Sequence, residues 1–198
     1  MDNERENMKI MIETSARHVH LCQKDLAALF GANYRLHKRK DLSQPGQFAC
    51  LENVIIKGSK GEVKATILGP LRPKTQVEIS LTDARKIGLS PPIKESGHLN
   101  NAAECTLVGP NGEVALKNCA IIAKRHIHLD PATADKYKLK DNDTVNVKVN
   151  SADRTLIFGD VVVRVSDTFS PAMHIDTDEA NAAGVDGLTF GEIIECIC

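Results

Sequence analysis

Apolar and polar residues alternate over short runs along most of the chain, the period of a strand with one buried face. Such runs predict strands at Met8–Glu13, Val54–Lys57, Glu62–Leu68, Gln76–Ser80, Glu104–Val108, Glu113–Lys117, Ala120–Lys124, Thr144–Asn150, Arg154–Phe158, Asp160–Val165, Ala172–Asp176 and Glu192–Cys196. Helical periodicity is brief and rare. Thr82 and Thr177, each with acids behind it, read as helix starts, and Gly88 and Gly184 as helix stops. Gly58-Ser59-Lys60-Gly61-Glu62-Val63 matches Gly109-Pro110-Asn111-Gly112-Glu113-Val114, and both read as tight turns between strands. Breaks fall at Arg39–Gln47 and at Ser90–Asn101, the second a loop within a barrel. Many short strands with Gly-rich turns predict a mainly β protein of barrels or sandwiches, capped by short α-helices.

Four segments repeat a strand, a candidate ligand and a short helix. Arg17-His18-Val19-His20-Leu21 matches Arg125-His126-Ile127-His128-Leu129. Residues i and i+2 of a strand share a face, so each pair aims two imidazoles at one point. Glu78 and His174 each follow an apolar residue and precede Ile, with Ala six and Gly ten residues later. His18, His20, Glu78, His126, His128 and His174 therefore make a set suited to two metal ions. An internally duplicated protein, with its site where the copies meet, accounts for the pattern.

Composition narrows the function. The chain has 198 residues, 25 basic and 26 acidic, with a formal net charge of -1. No broad basic face is implied, which argues against nucleic acid. No apolar run approaches the roughly 20 residues of a membrane span. Met1–Asn7 is polar, without a signal-peptide core or the apolar stripe of an amphipathic helix. Cysteines at 22, 50, 105, 119, 196 and 198 form no secreted-type framework. Reduced thiols in a cytoplasmic protein are expected.

Zinc suits imidazole and carboxylate ligands, although cobalt, iron or manganese also fit the donor set. Arg72 lies in Gly69–Glu78, six residues before Glu78, in a loop stiffened by two prolines. A guanidinium there suits a phosphate or acyl-phosphate oxygen; a plain surface arginine is the alternative. His37, His98 and Lys74 read as loop or surface residues, His37-Lys38-Arg39-Lys40 as a solvated loop, and Cys22 as a small buried residue at a helix start. No nucleophile elbow, P-loop or dinucleotide fingerprint is present, so the expected chemistry is metal-centred.

In combination, the two Arg-His-x-His-Leu units, Gly69–Glu78 and Met173–Asp176 resemble the PduL-type phosphotransacylases, or phosphate propanoyltransferases. The resemblance runs from about Ile10 to Glu192. It implies two β-barrels, one of residues 1–16 with 124–198 and the other of 17–123, with the metal site at their interface and a homodimer as the assembly. It implies two zinc ions per chain. His18, His20 and Glu78 would hold one, which takes the sulfur of CoA. His126, His128 and His174 would hold the second, with water or phosphate. Arg72 would bind phosphate as a catalytic residue. The implied reaction interconverts a short-chain acyl-CoA and phosphate with acyl phosphate and CoA. A dinuclear hydrolase of a thioester or phosphoester is the rival enzyme, and a metal-stapled binding protein the non-enzymatic one.

Overall fold

The computed structural model of the protein describes residues 8–194. The expectations for Met1–Asn7, for Cys196 and Cys198, and for the end of the strand drawn to Cys196 lie outside the described residues. In chain order the elements are β1 (Lys9–Ser15), β2 (His18–His20), α1 (Gln23–Phe30), β3 (Lys38–Asp41), β4 (Phe48–Lys57), β5 (Glu62–Gly69), β6 (Gln76–Glu78), α2 (Leu81–Ile87) and β7 (Ile93–Lys94). There follow β8 (Ala103–Gly109), β9 (Gly112–Ala123), β10 (His126–Leu129), α3 (Pro131–Tyr137), β11 (Thr144–Val149), β12 (Leu156–Val165), β13 (Ala172–Asp176), α4 (Thr177–Ala183) and β14 (Thr189–Ile194). They form two compact units, one of Met1–Ser15 with Arg125–Cys198 and one of Ala16–Lys124.

Each unit is a closed six-stranded β-barrel. In the first, the order around the ring is β1-β13-β10-β12-β11-β14, and β14 closes back on β1. Alternation builds its interior: Ile10 and Ile12 of β1, Val145, Val147 and Val149 of β11, and Ile127 and Leu129 of β10 are all buried there. The second ring is β9-β6-β2-β5-β4-β8, with β3 paired to β4 and β7 to β9 outside it. Val19, Ile67, Val77 and Leu107 are buried in its core.

The two rings carry the same sequence of pairings. β1–β13 and β9–β6 are parallel, β13–β10 and β6–β2 antiparallel, β10–β12 and β2–β5 parallel, and the remaining pairs antiparallel. The duplication is therefore one of topology. The matched turns at Gly58–Gly61 and Gly109–Gly112 are not counterparts in it, because both close hairpins of the second barrel, β4–β5 and β8–β9. Where that barrel has the β8–β9 hairpin, the first pairs β14 with β1 from opposite ends of the chain.

Other expectations shift for local reasons. Glu113–Lys117 and Ala120–Lys124 fall on one strand, β9, which ends at Ala123, and Arg154–Phe158 and Asp160–Val165 on one strand, β12, which begins only at Leu156. The apparent breaks mark Asn118 and Asp160, which take φ of 51° and 53° within their strands. The neighbouring ladders shift register, as at a bulge. Lys38–Asp41, read as loop, is the strand β3, with every side chain exposed. The Ser90–Asn101 segment contains β7. Thr177 is the first residue of α4, as expected, whereas α2 begins at Leu81, one residue before Thr82; the caps are Ser80 and Asp176. Those two side chains accept the N–H of Asp83 and Glu179 and so cap the first turns. Gly88 and Gly184 do end the helices, both left-handed.

Candidate metal centres

Three of the strands that carry the candidate ligands, β2, β6 and β10, are buried on both faces, and β13 is partly exposed at His174 and Asp176. In β2 and β6, Val19 and Val77 point into the barrel, which leaves His18, His20, Gln76 and Glu78 on the outer face. Antiparallel register places His18 opposite Glu78. Ligand atoms of His18, His20 and Glu78 all lie within 4.8 Å of one another. In the other unit, β10 and β13 do the same with Ile127 and Met173 inward and His126 opposite His174. There the ligand atoms of His126, His128 and His174 also lie within 4.8 Å of one another. His126 Nε2 and His128 Nε2 are 3.0 Å apart, and Phe169 packs edge-on against His128.

A common clamp holds each pair of strands. Arg17 Nε donates to the Lys64 carbonyl on β5, and its Nη1 donates to Asp83 Oδ2 at 2.8 Å. Arg125 Nε donates to the Gly159 carbonyl on β12, and its Nη1 to Glu179 Oε1 at 2.7 Å. Asp83 and Glu179 both occupy the third position of the helix that follows the single-ligand strand. The arginine before each His-x-His thus ties that strand to the end of its partner. An acid in the first helical turn also complements the helix dipole.

Glu78 is held by one group on its own strand and one from a distant loop. Gln76 Nε2 donates to Glu78 Oε1 at 2.6 Å, and Ser96 Oγ donates to the same oxygen at 2.8 Å. Ser96 Oγ accepts from Gln76 Nε2 and from Arg72 Nη1, so its one proton and both lone pairs are used. Gln76 Oε1 accepts from the Gly97 N–H. Glu78 Oε2 is left facing His18 Nε2 at 3.5 Å. On the other side of that ring, His18 Nδ1 donates to the Ala16 carbonyl, which directs Nε2 to the site.

Electrostatics follow from this packing. Burial pulls His18 down, but the charge and hydrogen bond of Glu78 outweigh it and hold His18 above the usual histidine value. His20 sits well below that value, first through burial and then through the charges of His18 and Arg72. Burial pushes Glu78 up, yet the charge and hydrogen bond of His18, the charge of His20 and the Ser96 bond bring it well below the carboxylate range. A neutral His20 and an ionised Glu78 are the states that ligate a metal.

Arg72 and His20 share the wall of a cavity of about 250 Å³, with Gln47, the Pro45-Gly46 turn and the Gly69-Pro70 segment. Lys74 is exposed, as expected. His98 is exposed, while His37, also on the surface, is bonded to the buried Glu52 at 2.6 Å. Cys22 is the cap residue of α1, half-buried, and its thiol donates to Asp25.

A divalent metal fits both sets. His20 Nδ1 is buried without a hydrogen-bond partner. Such a group is costly unless something else satisfies it. Two imidazoles and a carboxylate, or three imidazoles, are zinc donor sets with a further position open.

Arg17 and Arg125 were visible in the repeated motif, and Gln76 lies on the face of Glu78 two residues away. Ser96 had no such signal: pairing of β7 with β9 brings its loop to the site.

The sequence pattern of the family described as phosphate propanoyltransferase matches residues 11–186. A phosphate propanoyltransferase of Clostridioides difficile is 50% identical over 94% of this chain and 89% of its own length. One of Thermotoga maritima is 49% identical over 90% of this chain and 86% of its own. One of Listeria monocytogenes is 46% identical over 94% and 87%.

Proposed function

The chain belongs to the phosphate propanoyltransferase family and is an acyltransferase, and from that premise we propose that it moves a short acyl group between CoA and phosphate by direct attack, with two zinc ions per chain. The observation that carries this reading is Arg72, which shares one cavity wall with His20 and reaches through Ser96 to Glu78.

His18, His20 and Glu78 would hold one zinc, and His126, His128 and His174 the other. Zinc bound there would supply positive charge that keeps the departing CoA sulfur as thiolate and offsets charge on phosphate and the thioester oxygen. Arg72 binds phosphate through its guanidinium, with Ser96 fixing the fork, so that one phosphate oxygen is aimed at the thioester carbonyl carbon. The new C–O bond forms as the C–S bond breaks, which yields acyl phosphate and CoA. Gln76 and Ser96 occupy Glu78 Oε1, so that Oε2 alone is offered as a ligand.

No acyl-enzyme is needed. Ser96 has its only proton on Glu78, and burial pushes the Cys50 thiol up to about 11. The decisive assay follows CoA release from acetyl-, propanoyl- and butanoyl-CoA with and without phosphate. Release that requires phosphate and yields acyl phosphate is expected; equal release without phosphate, with free acid as product, would identify a hydrolase instead.

A further inference from the structure

One carboxylate outside the repeated motifs stands against the three-histidine set. Glu13 is on β1, in parallel register with His174 of β13. Ile10 and Ile12 of β1 enter the barrel core, so Glu13 takes the opposite face. Glu13 Oε2 lies 2.9 Å from His174 Nε2. The two atoms stand at ion-pair distance, with no hydrogen bond aligned between them.

The second barrel serves as an internal comparison. There β9 stands beside β6 as β1 stands beside β13, and Ile121 is the partner of Glu78. Ile121 is fully buried and carries no charge. In that barrel the carboxylate belongs to the three-ligand set and its neighbour is aliphatic. In the first barrel the set is all imidazole and the neighbour is the carboxylate. Each set therefore has one carboxylate, moved by one strand. Three neutral imidazoles leave a divalent ion its full charge, and a carboxylate beside a ligating histidine both offsets that charge and orients the ring.

We propose that Glu13 is a positioning residue for the divalent metal held by His126, His128 and His174. It is not among the residues whose ligand atoms converge, so it acts through His174 and through its charge. The proposal rests on the metal reading above and adds a member to one of its two sites.

The test is metal affinity of the full-length protein. Apo protein is titrated with Zn²⁺ against a chromophoric chelator, and with Co²⁺ while the visible absorption of the bound ion is followed. His174→Ala identifies which binding step belongs to the three-histidine site. Glu13→Gln keeps the shape and removes the charge, and Glu13→Ala removes both. Each is expected to weaken that step by about tenfold to a hundredfold and to alter its Co²⁺ spectrum, with the other step unchanged. Glu13→Asp restores part of the affinity. Far-UV circular dichroism of the apo variants checks that the barrel is formed, and the isosteric Gln variant serves where Ala does not fold. Unchanged affinity and spectrum in Glu13→Gln would overturn the proposal. Absence of Zn²⁺ binding when Glu13 is intact would refute the metal reading itself, and this proposal with it.

Discussion

On the proposed reading, Arg72 is the residue whose removal would separate binding of metal from use of phosphate. Its side chain donates to Ser96, and its backbone N–H donates to the Leu21 carbonyl, a bond the side chain does not affect. Arg72→Ala is therefore expected to keep metal content and fold. Loss of one charge-assisted contact costs on the order of 1.5–3 kcal/mol, seen as a higher phosphate KM or lower kcat/KM in steady-state assays. Unchanged phosphate kinetics would remove Arg72 from the site. Glu52 tests a different link, from burial to pH. Burial raises this carboxyl, but hydrogen bonds from His37 and Tyr34 outweigh it and bring Glu52 below the ordinary glutamate range. A carboxylate depressed on folding contributes stability above its unfolded value of about 4.3 and loses it as pH falls through the lower folded value. Glu52→Gln should lower urea stability at pH 7 by about 1–3 kcal/mol, and the difference should shrink as pH falls below about 4. A gap that persists unchanged at pH 3 would assign the effect to shape rather than charge.

At the scale of elements, short ligand strands depend on what closes around them. β2 and β6 have three residues each, too few to hold a register alone. The Arg17–Asp83 clamp supplies one tie, and the seating of α2 supplies another. The Gly58–Gly61 turn packs on the end of α2, where Lys60 N–H donates to the Ile87 carbonyl at 2.9 Å. A Cβ at Gly58 would strike that carbonyl oxygen, which is backbone and has little room to yield. Gly58→Ala is expected to destabilise the fold by about 1–3 kcal/mol, as overpacking does, with a matching drop in urea midpoint. A wild-type midpoint would mean that the turn and helix separate freely. The same turn explains a limit of motif reading. Its likeness to Gly109–Gly112 reflects shared hairpin chemistry, whereas the barrels correspond by strand order.

At the scale of the molecule, metal binding at the two proposed sites would be coupled to folding. A ligand that binds only the folded state stabilises it by about 2.7 kcal/mol per site at a hundred times its Kd. For a chain of this size that corresponds to roughly 5–10 °C per site. Exhaustive chelation should therefore lower the melting temperature and abolish acyl transfer, and Zn²⁺ should restore both. Elemental analysis of protein purified without added metal is expected to give about two ions per chain, from two three-ligand sets. Full activity with fewer than one transition metal per chain would sink the two-metal reading. No helix among the described residues is long and apolar enough to cross a membrane.

Much of this was legible along the chain because it depends on neighbours a few positions apart. A period of two is enough to put His18 with His20, and His126 with His128, on one face, with Val19 and Ile127 on the other. Apolar alternation and Gly-rich turns were enough for a mainly β fold, and glycine's tolerance of positive φ for the ends of α2 and α4. The helix starts were less legible, because which polar side chain caps depends on which one reaches the third N–H. β3 was not legible, because every one of its side chains is exposed and no alternation marks it. Ser96 and Glu13, beside the candidate ligands, belonged to tertiary structure alone. Ser96 reaches Glu78 because β7 pairs with β9, and Glu13 reaches His174 because the first strand of the chain pairs with β13. Period and residue type act locally and survive in the linear code; the partner across a ladder is chosen by closure of the whole barrel, which no local pattern records.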